Sequence, residues 1–228
     1  LLKFCIANKI EVIVPGIDEE LLEVCRVFEI IKEIQIFIPS KSFVKKMLDK
    51  FESMKILHNL ELPVPNTFKL KKISETNSFP VILKPRWGRG SRGIQIVKEF
   101  KELELYQKIK QLNNEEYIFQ SYISGQEYTV QIVNHSDYKK TLVIPLKVLL
   151  KKGVTLSAEI DFDKKIIEIC KKVVKEFQEK NIFNIQLIKS NKDNSIHIFE
   201  INPRLSTTTC ILPFFFLVQT FFQKVCQV

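Results

Sequence analysis

Short apolar runs alternate with segments of helical periodicity along this chain, and together they predict a mixed α+β fold. Apolar or alternating stretches bounded by turn residues predict strands at residues 10–14, 35–38, 81–84, 94–97, 117–121, 128–133, 141–150, 183–188 and 196–201. Apolar residues three and four apart predict helices at residues 42–60, about 99–112 and 166–177. Asp18 is a candidate cap for a further helix, and Asp161 and Asp163 are candidate caps for the last one.

The order of these elements separates a short leading unit from a larger remainder. The strands at residues 10–14 and 35–38, with a helix between them that begins in acidic Glu19 and Glu20, resemble the end of a parallel α/β unit. After residue 41 the pattern indicates antiparallel sheets on either side of a cleft. The chain carries no internal repeat and no low-complexity linker.

The composition is that of a globular protein, with 45% hydrophobic and 27% charged residues among 228. The 35 basic and 26 acidic residues leave a net charge of +9, which would suit a nucleic-acid partner. The lysines are spread through helices and turns, and no basic run is interleaved with aromatic residues. We therefore expect no nucleic-acid partner, but a solvated lysine-rich surface that attracts anionic substrates.

The cysteines and the chain ends bear on the compartment. The five cysteines have no CxxC or metal-ligand spacing, and four in apolar contexts are expected to be buried thiols. With no signal peptide, this usage predicts a cytoplasmic protein. Residues 210–222 are rich in phenylalanine but shorter than the ~20 residues of a membrane span, so we expect no membrane partner. The chain starts at Leu1 without Met, and its tail is either core or aberrant sequence. We therefore expect truncation at both ends.

A glycine loop lies between two predicted strands, at Gly88-x-Gly90-x-x-Gly93. A dinucleotide-binding glycine loop should open a helix, whereas residues 94–97 alternate as a strand does, and no protein-kinase motif follows. Glycines let backbone N–H groups approach phosphate oxygens, Ser91 adds a hydroxyl donor, and Lys84 on the leading strand adds a positive charge. The segment therefore indicates a phosphate-binding flap; the alternative is a glycine-rich turn with an exposed lysine.

Polar side chains at the last predicted strand form a candidate metal site. Glu200 and Asn202 are two residues apart on a strand, so they point to the same face, and Gln186 on the strand predicted next to it can join them. Oxygen ligands of this kind suit Mg²⁺. Arg204 can place its guanidinium on a transferring phosphate. The alternative is a Glu200–Arg204 salt bridge at a strand end, but an unpaired carboxylate among apolar neighbours would be costly.

Four segments in this order resemble the ATP-grasp superfamily, and most of all the carbamoyl-phosphate synthase large chain and related carboxylate–amine ligases. The segments are Lys84-Pro-Arg-x-Gly88-x-Gly90-Ser-Arg-Gly93, Gly125-x-Glu127-Tyr-Thr-Val, Phe183-Asn-Ile-Gln186 and Glu200-Ile-Asn202-Pro-Arg204. The resemblance covers roughly residues 10–209. It implies two α+β subdomains whose antiparallel sheets clasp ATP, preceded by part of an α/β pre-ATP-grasp domain. The implied boundaries are 1–40 for that domain and 41–228 for the ATP-grasp domain, with lobes at 41–122 and 123–228.

The resemblance also implies roles for individual residues. The residues implied to contact the nucleotide are Lys50, Lys84, Gly88, Gly90, Ser91, Gly93, Gln120, Ser121, Ile123, Glu127 and Ile188. Gln186, Glu200 and Asn202 are implied to hold Mg²⁺, or Mn²⁺ in its place. Arg204 is implied to steady an acyl phosphate and Lys147 to reach the transferring phosphate. The family commonly has Glu where Gln120 stands, a departure that bears on adenine recognition.

The implied reaction has two steps and needs ATP and Mg²⁺. A small carboxylate attacks the γ-phosphate of ATP to give an acyl phosphate, and an amine or similar nucleophile then displaces the phosphate. The implied partners are thus ATP, a carboxylate and an amine acceptor, and a homodimer is left open. Two alternatives remain: a nucleotide-binding remnant without turnover, and lysine-driven nucleic-acid binding, which would weaken steeply with salt and need no Mg²⁺.

Overall fold

The computed structural model of this protein describes residues 2–28, 34–70, 78–134 and 141–211, without the side chains of 210 and 211. Several features singled out in the sequence therefore lie outside the described residues. They are the phenylalanine-rich tail after residue 211 and two of the five cysteine thiols, those of Cys210 and Cys226.

The leading unit is a small α/β arrangement, as predicted. Its elements are α1 (Leu2–Ala7), β1 (Val12–Ile13), α2 (Asp18–Phe28) and β2 (Gln35–Ile36). The two short strands pair in parallel. Leu21 and Val24 on α2 are buried in one cluster with Cys5 and Ile38. The unit is thus held by one face of α2.

Two helices stand where the sequence pattern predicted one at residues 42–60. They are α3 (Lys41–Met47) and α4 (Lys50–Asn59). Asp49 has extended backbone angles, and its carboxylate accepts from the N–H groups of Phe51 and Glu52, so it caps α4. The single-helix prediction is wrong because the apolar spacing continues through this cap. The ring of Phe43 lies 5.2 Å from those of Phe177 and Phe183, so α3 packs into the core of the second half of the chain.

A four-stranded antiparallel sheet forms the first wall of the cleft. Its elements are β3 (Thr67–Lys69), β4 (Val81–Pro85), β5 (Gln95–Val97) and β6 (Tyr117–Ser121), with α5 (Phe100–Lys110) packed beside it. The strand order is β3-β6-β4-β5. Leu83, Phe119 and Leu103 are buried between sheet and helix. The sequence pattern predicted these elements with the exception of β3.

A five-stranded antiparallel sheet forms the second wall. Its elements are β7 (Gly125–Asn134), β8 (Leu142–Lys152), β9 (Val154–Ile160), β10 (Asn181–Ser190) and β11 (Ile196–Asn202), with α6 (Lys164–Phe177) on one face. The strand order is β11-β10-β7-β8-β9. Ile166, Cys170 and Val173 of α6 lie in the same buried core as the strands. The edge strand β9 was not predicted.

Of the two residues predicted to cap α6, one does so. Asp163 accepts from the N–H groups of Lys165 and Ile166, as an N-cap does. Asp161 instead accepts a hydrogen bond of 2.8 Å from the Tyr128 hydroxyl, so its predicted capping role is wrong. The described thiols behave as predicted: Cys5, Cys25 and Cys170 are buried and outside any disulfide, and burial raises the pKa of the Cys170 thiol. Among the described residues, no helix is long and apolar enough to cross a membrane.

Candidate functional site

A cleft of about 500 Å³ lies between the two sheets and collects almost every predicted site residue. Those that line it are Lys50, Lys84, Gly88, Gly90, Ser91, Gln120, Ser121, Ile123, Glu127, Gln186, Ile188, Glu200, Asn202 and Arg204. Gly93 and Lys147 do not line it. The predicted residues come from five separate stretches of the chain, and the fold brings them together in one place.

The glycine flap covers this cleft and is built from left-handed backbone. Gly88, Gly90 and Gly93 have φ of 118°, 67° and 70°, values that side chains with a Cβ rarely adopt. The hydroxyl of Ser91 donates to the carbonyl of Gly153 in the β8–β9 turn, at 3.3 Å. The flap therefore spans from the first sheet to the second. Gly93 lies at its base, where an added Cβ would meet Pro85 at 3.0 Å, so its role is to let the stem close.

Glu200 lies beside two lysines and is mostly buried, with 17% of its side chain exposed. Its carboxylate lies 3.2 Å from Lys50 Nζ, and Lys50 also donates to the carbonyl of Gly88 in the flap. Burial alone would raise the pKa of Glu200, but the charges of Lys50 and Lys84 outweigh it, and the pKa is lowered. Glu200 is therefore an ionised carboxylate at the centre of the cleft.

Lys84 is almost fully buried, at 3% exposure, and reaches across both lobes. Its ammonium donates to Gln120 Oε1 at 3.0 Å and to the Phe199 carbonyl at 3.3 Å. The amide of Gln120 is held in this orientation because its Nε2 donates to Thr67 Oγ1 at 2.9 Å. Burial lowers the pKa of Lys84 to about 8, although Glu200 opposes the shift.

The candidate metal ligands meet across β10 and β11. Gln186 pairs with Glu200 and Asn184 with Asn202 in the strand register. Asn202 donates its amide N–H to Asn184 Oδ1 at 3.2 Å, which makes its own oxygen the atom available to a cation. Asn184 also donates to the carbonyl of Arg204 at 3.0 Å, so this fully buried residue holds the strand end in place.

The donor set fits a hard cation such as Mg²⁺. One carboxylate and two amide oxygens are the ligands that Mg²⁺ accepts when phosphate and water complete its shell. Within the described residues, no group of three or more His, Cys, Asp or Glu side chains could hold a metal ion, and Glu200 is the one acidic residue among the three candidate ligands. The alternative of a Glu200–Arg204 salt bridge is not realised, because Glu200 pairs with Lys50 and Arg204 with Asp18.

Lys147 was expected at the cleft and lies elsewhere. Its ammonium pairs with Glu159 on β9 at 2.9 Å, on the exposed part of the sheet. The register of β8 shifts between Val148 and Leu150 and again before Lys151. Such irregularities turn the following side chains to the other face. Lys151 thus lines the cleft in place of Lys147 and forms an ion pair with Glu127.

Three residues that position the site were given no role in that site by the sequence analysis. Lys151 was missed because its strand was expected to end at Leu150. Asn184 carries no signal beyond its place in the Phe183–Gln186 segment. Asp18 was predicted to cap α2, but it binds Arg204, and Glu20 accepts from the backbone N–H groups at the helix start instead.

Comparison with known proteins identifies the family. A family model of the ATP-grasp domain matches residues 47–208. The chain belongs to the ATP-grasp family. This match confirms the resemblance found in the sequence, and with it the α+β fold of two antiparallel sheets around a cleft.

Relatives of this ATP-grasp chain are ligases and synthases. D-alanine–D-alanine ligase of Petrotoga mobilis is 27% identical over 171 residues, covering 68% of this chain and 56% of that protein. Carbamoyl-phosphate synthase of Methanobrevibacter smithii is 21% identical over 238 residues, covering 91% of this chain and 62% of that protein. The chain therefore spans little more than half the length of these relatives.

Solved structures share the fold at low identity. Biotin carboxylase of Campylobacter jejuni, in a complex with β-γ-ATP, has a TM-score of 0.78 at 19% identity, over 92% of this chain and 52% of that one. N5-carboxyaminoimidazole ribonucleotide synthetase of Thermotoga maritima has a TM-score of 0.65 at 19% identity, over 87% and 52%. These likenesses support the ATP-grasp fold.

Proposed function

We propose that this chain binds Mg²⁺ and ATP in the cleft and transfers the γ-phosphate to a small carboxylate, forming an acyl phosphate that an amine attacks. The observation that carries the proposal is the meeting of Lys50, Lys84 and Glu200 beneath the glycine flap, with Asn202 and Arg204 beside them. Phosphoryl transfer depends mainly on positioning and on charge stabilisation, and this cluster offers both.

Each residue of the cluster has a part in that reaction. Lys50 and Lys84 bind the phosphates, and the flap excludes water from them. Gln186, Glu200 and Asn202 would hold Mg²⁺, which when bound neutralises phosphate charge.

The two steps balance without a covalent enzyme intermediate. A carboxylate oxygen attacks the γ-phosphorus, the bond from that phosphorus to the bridging oxygen breaks, and ADP leaves with its electron pair. Arg204 stabilises the charge on the transferred group. The amine then attacks the acyl carbon, phosphate leaves, and the amine loses a proton.

Bicarbonate is the first carboxylate to test, with ammonia as the amine. Carbamoyl phosphate is the mixed anhydride of phosphoric acid with carbamic acid, the monoamide of carbonic acid, and the synthase of that name from Methanobrevibacter smithii aligns with 91% of this chain. The biotin carboxylase domain of 2-oxoglutarate carboxylase from Hydrogenobacter thermophilus, a dimer of TM-score 0.74, binds MgADP and bicarbonate. This supports both the metal and the substrate class, whereas a homodimer of this chain stays a prediction.

We expect calorimetry to detect ATP binding that Mg²⁺ strengthens, followed by ADP release that depends on an added carboxylate. The screen compares bicarbonate, D-alanine and acetate, each with and without ammonia. A folded sample that binds no nucleotide would contradict the proposal.

A second candidate is a nucleotide-binding unit without turnover. It is favoured by one observation: the chain spans 56% and 62% of the two relatives' lengths. On this alternative, the residues that hold the acceptor substrate belong to the remaining parts of those relatives. Mg²⁺-dependent ATP binding with no carboxylate-dependent ADP release would support this candidate over the ligase.

Lys84 gives nucleotide binding a predicted pH dependence. Its pKa of about 8 means that the ammonium is charged below pH 8 and neutral above it. Because only the charged form attracts phosphate, we expect ATP affinity to fall by up to about tenfold for each pH unit above 8. Calorimetry from pH 7 to 9, in buffers of different ionisation enthalpy, should also detect proton uptake on binding. Lys84→Arg, which stays charged, is the control and should bind equally at both pH values; a wild-type affinity that does not change would contradict the prediction.

A further inference from the structure

The N-terminal turn of α2 contacts both walls of the nucleotide cleft. Asp18 Oδ1 accepts a hydrogen bond from Nε of Arg204, which follows β11 of the second sheet. Glu19 Oε2 accepts one of 2.8 Å from Nε of Arg89, which lies in the flap of the first sheet. Both arginines line the cleft. The leading unit is therefore in contact with the site, although no motif assigned it a role.

Asp18 and Glu19 are available to the arginines because the next residue, Glu20, binds the backbone N–H groups at the start of α2. Glu20 Oε1 accepts from the backbone N–H groups of Gly16 and Ile17, at 3.0 and 3.2 Å. That contact satisfies the helix start, as a capping side chain does. Asp18 and Glu19 can therefore pair with the two arginines that line the cleft.

The Asp18–Arg204 pair is the stronger of the two contacts. Its side chains are 9% and 14% exposed, against 60% and 32% for Glu19 and Arg89. A charge-assisted bond between nearly buried groups is strong and directional, whereas an exposed pair contributes little. The Asp18 contact is thus the one able to fix a side-chain orientation.

The guanidinium of Arg204 is fixed on one side and available on the other. Its Nε is bound by Asp18, and its Nη1 donates to the carbonyl of Leu205 at 2.9 Å. An arginine has five N–H donors, so three remain. Because Arg204 lines the cleft, these three are the donors that a phosphate there can use.

We propose that Asp18 is a positioning residue that orients Arg204 toward the terminal phosphate of the bound nucleotide, which makes the leading α/β unit part of the site. The inference rests on the proposed function, since it requires nucleotide in the cleft. It assigns to Asp18 a role that is specific to the γ-phosphate. The α- and β-phosphates are left to Lys50 and Lys84.

The test compares MgADP with Mg²⁺ and a non-hydrolysable ATP analogue, by calorimetry, on the full chain. The Kd for MgADP divided by the Kd for the ATP analogue measures the contribution of the γ-phosphate without any turnover. Asp18→Ala should lower this ratio about tenfold, the effect of losing one charge-assisted contact, while the Kd for ADP changes less than about twofold. Asp18→Glu, which keeps the charge, should restore part of the ratio.

A double-mutant cycle links the effect to Arg204. If Asp18 acts through this arginine, Asp18→Ala combined with Arg204→Ala should lower the ratio no further than Arg204→Ala alone. Glu23→Ala, on the same helix in an exposed pair with Arg26, is the matched control and should leave the ratio unchanged.

Three outcomes would overturn the inference. One is an Asp18→Ala variant with the wild-type ratio. Another is equal weakening of ADP and the analogue, which would make Asp18 a purely structural residue. A wild-type chain that binds neither nucleotide would refute the proposed function itself, and the positioning role with it, so the two failures are distinguishable.

Discussion

Glu200→Gln should lose at least about 100-fold of the Mg²⁺-dependent part of nucleotide affinity, since even indirect partners of a metal ligand typically change metal affinity 10- to 100-fold. Glu200 is the single acidic side chain among the candidate ligands, between Gln186 and Asn202. The amide keeps the shape of the carboxylate but loses its charge. Calorimetry of the ATP analogue with Mg²⁺ and with EDTA measures the effect as a ratio of two affinities.

The same substitution should behave differently without the metal. Glu200 balances the charges of Lys50, Lys84 and Lys151 in the cleft. Removing it leaves these lysines to attract the free polyanion, so affinity in EDTA should stay equal or increase. This opposite response separates a lost ligand from a misfolded site, in which both affinities would fall together.

Glu159→Gln is the matched control for Glu200→Gln. Glu159 also pairs with a lysine, Lys147, but on the exposed part of the sheet and outside the cleft. We expect it to leave both affinities unchanged. If Glu200→Gln kept the full response to Mg²⁺, the metal would have to lie elsewhere, and the assignment of these three ligands would be wrong.

Local periodicity was sufficient to predict the part of the site that lies on regular strands. The two-residue spacing of Glu200 and Asn202 predicted a shared face, and the pairing of Gln186 with Glu200 confirms the neighbouring strand that was assumed for them. The strand-loop-strand flap is likewise confirmed. It could be predicted because glycines between two strand patterns carry a local signal. These elements are set by the residues nearest to them in the chain.

The wrong or missing predictions arise where the chain departs from regularity or where distant charges meet. Lys147 was placed at the cleft by the family resemblance, but the irregular β8 brings Lys151 there instead. The edge strand β9 carries alternating apolar residues, and this signal was available but not used. Asp18 and Arg204 are 186 residues apart, and no local pattern tells which of many acids a given arginine meets.

Asp49→Ala should cost about 3 kcal/mol in the free energy of unfolding, the lower end of the typical effect of removing one partner of a buried ion pair, because this pair keeps some contact with water. Asp49 and Arg86 form two hydrogen bonds of 2.7 Å, and each side chain is 13% exposed. Asp49 also caps α4, a contact that contributes about 1 kcal/mol of this total. Urea unfolding followed by circular dichroism measures the change.

The exposed pair on α2 is the control that gives this measurement its meaning. Glu23 and Arg26 are 66% and 69% exposed, and Glu23→Ala should change stability by less than about 0.5 kcal/mol.

The Asp49 substitution should also weaken nucleotide binding, because Lys50 begins α4 and its N–H donates to the carbonyl of Arg86 at 3.1 Å. A cost below about 1 kcal/mol would mean that water replaces the lost carboxylate around Arg86. In that case the position of Lys50 would have to depend on its own contacts with Glu200 and the flap, and nucleotide affinity should then be unaffected.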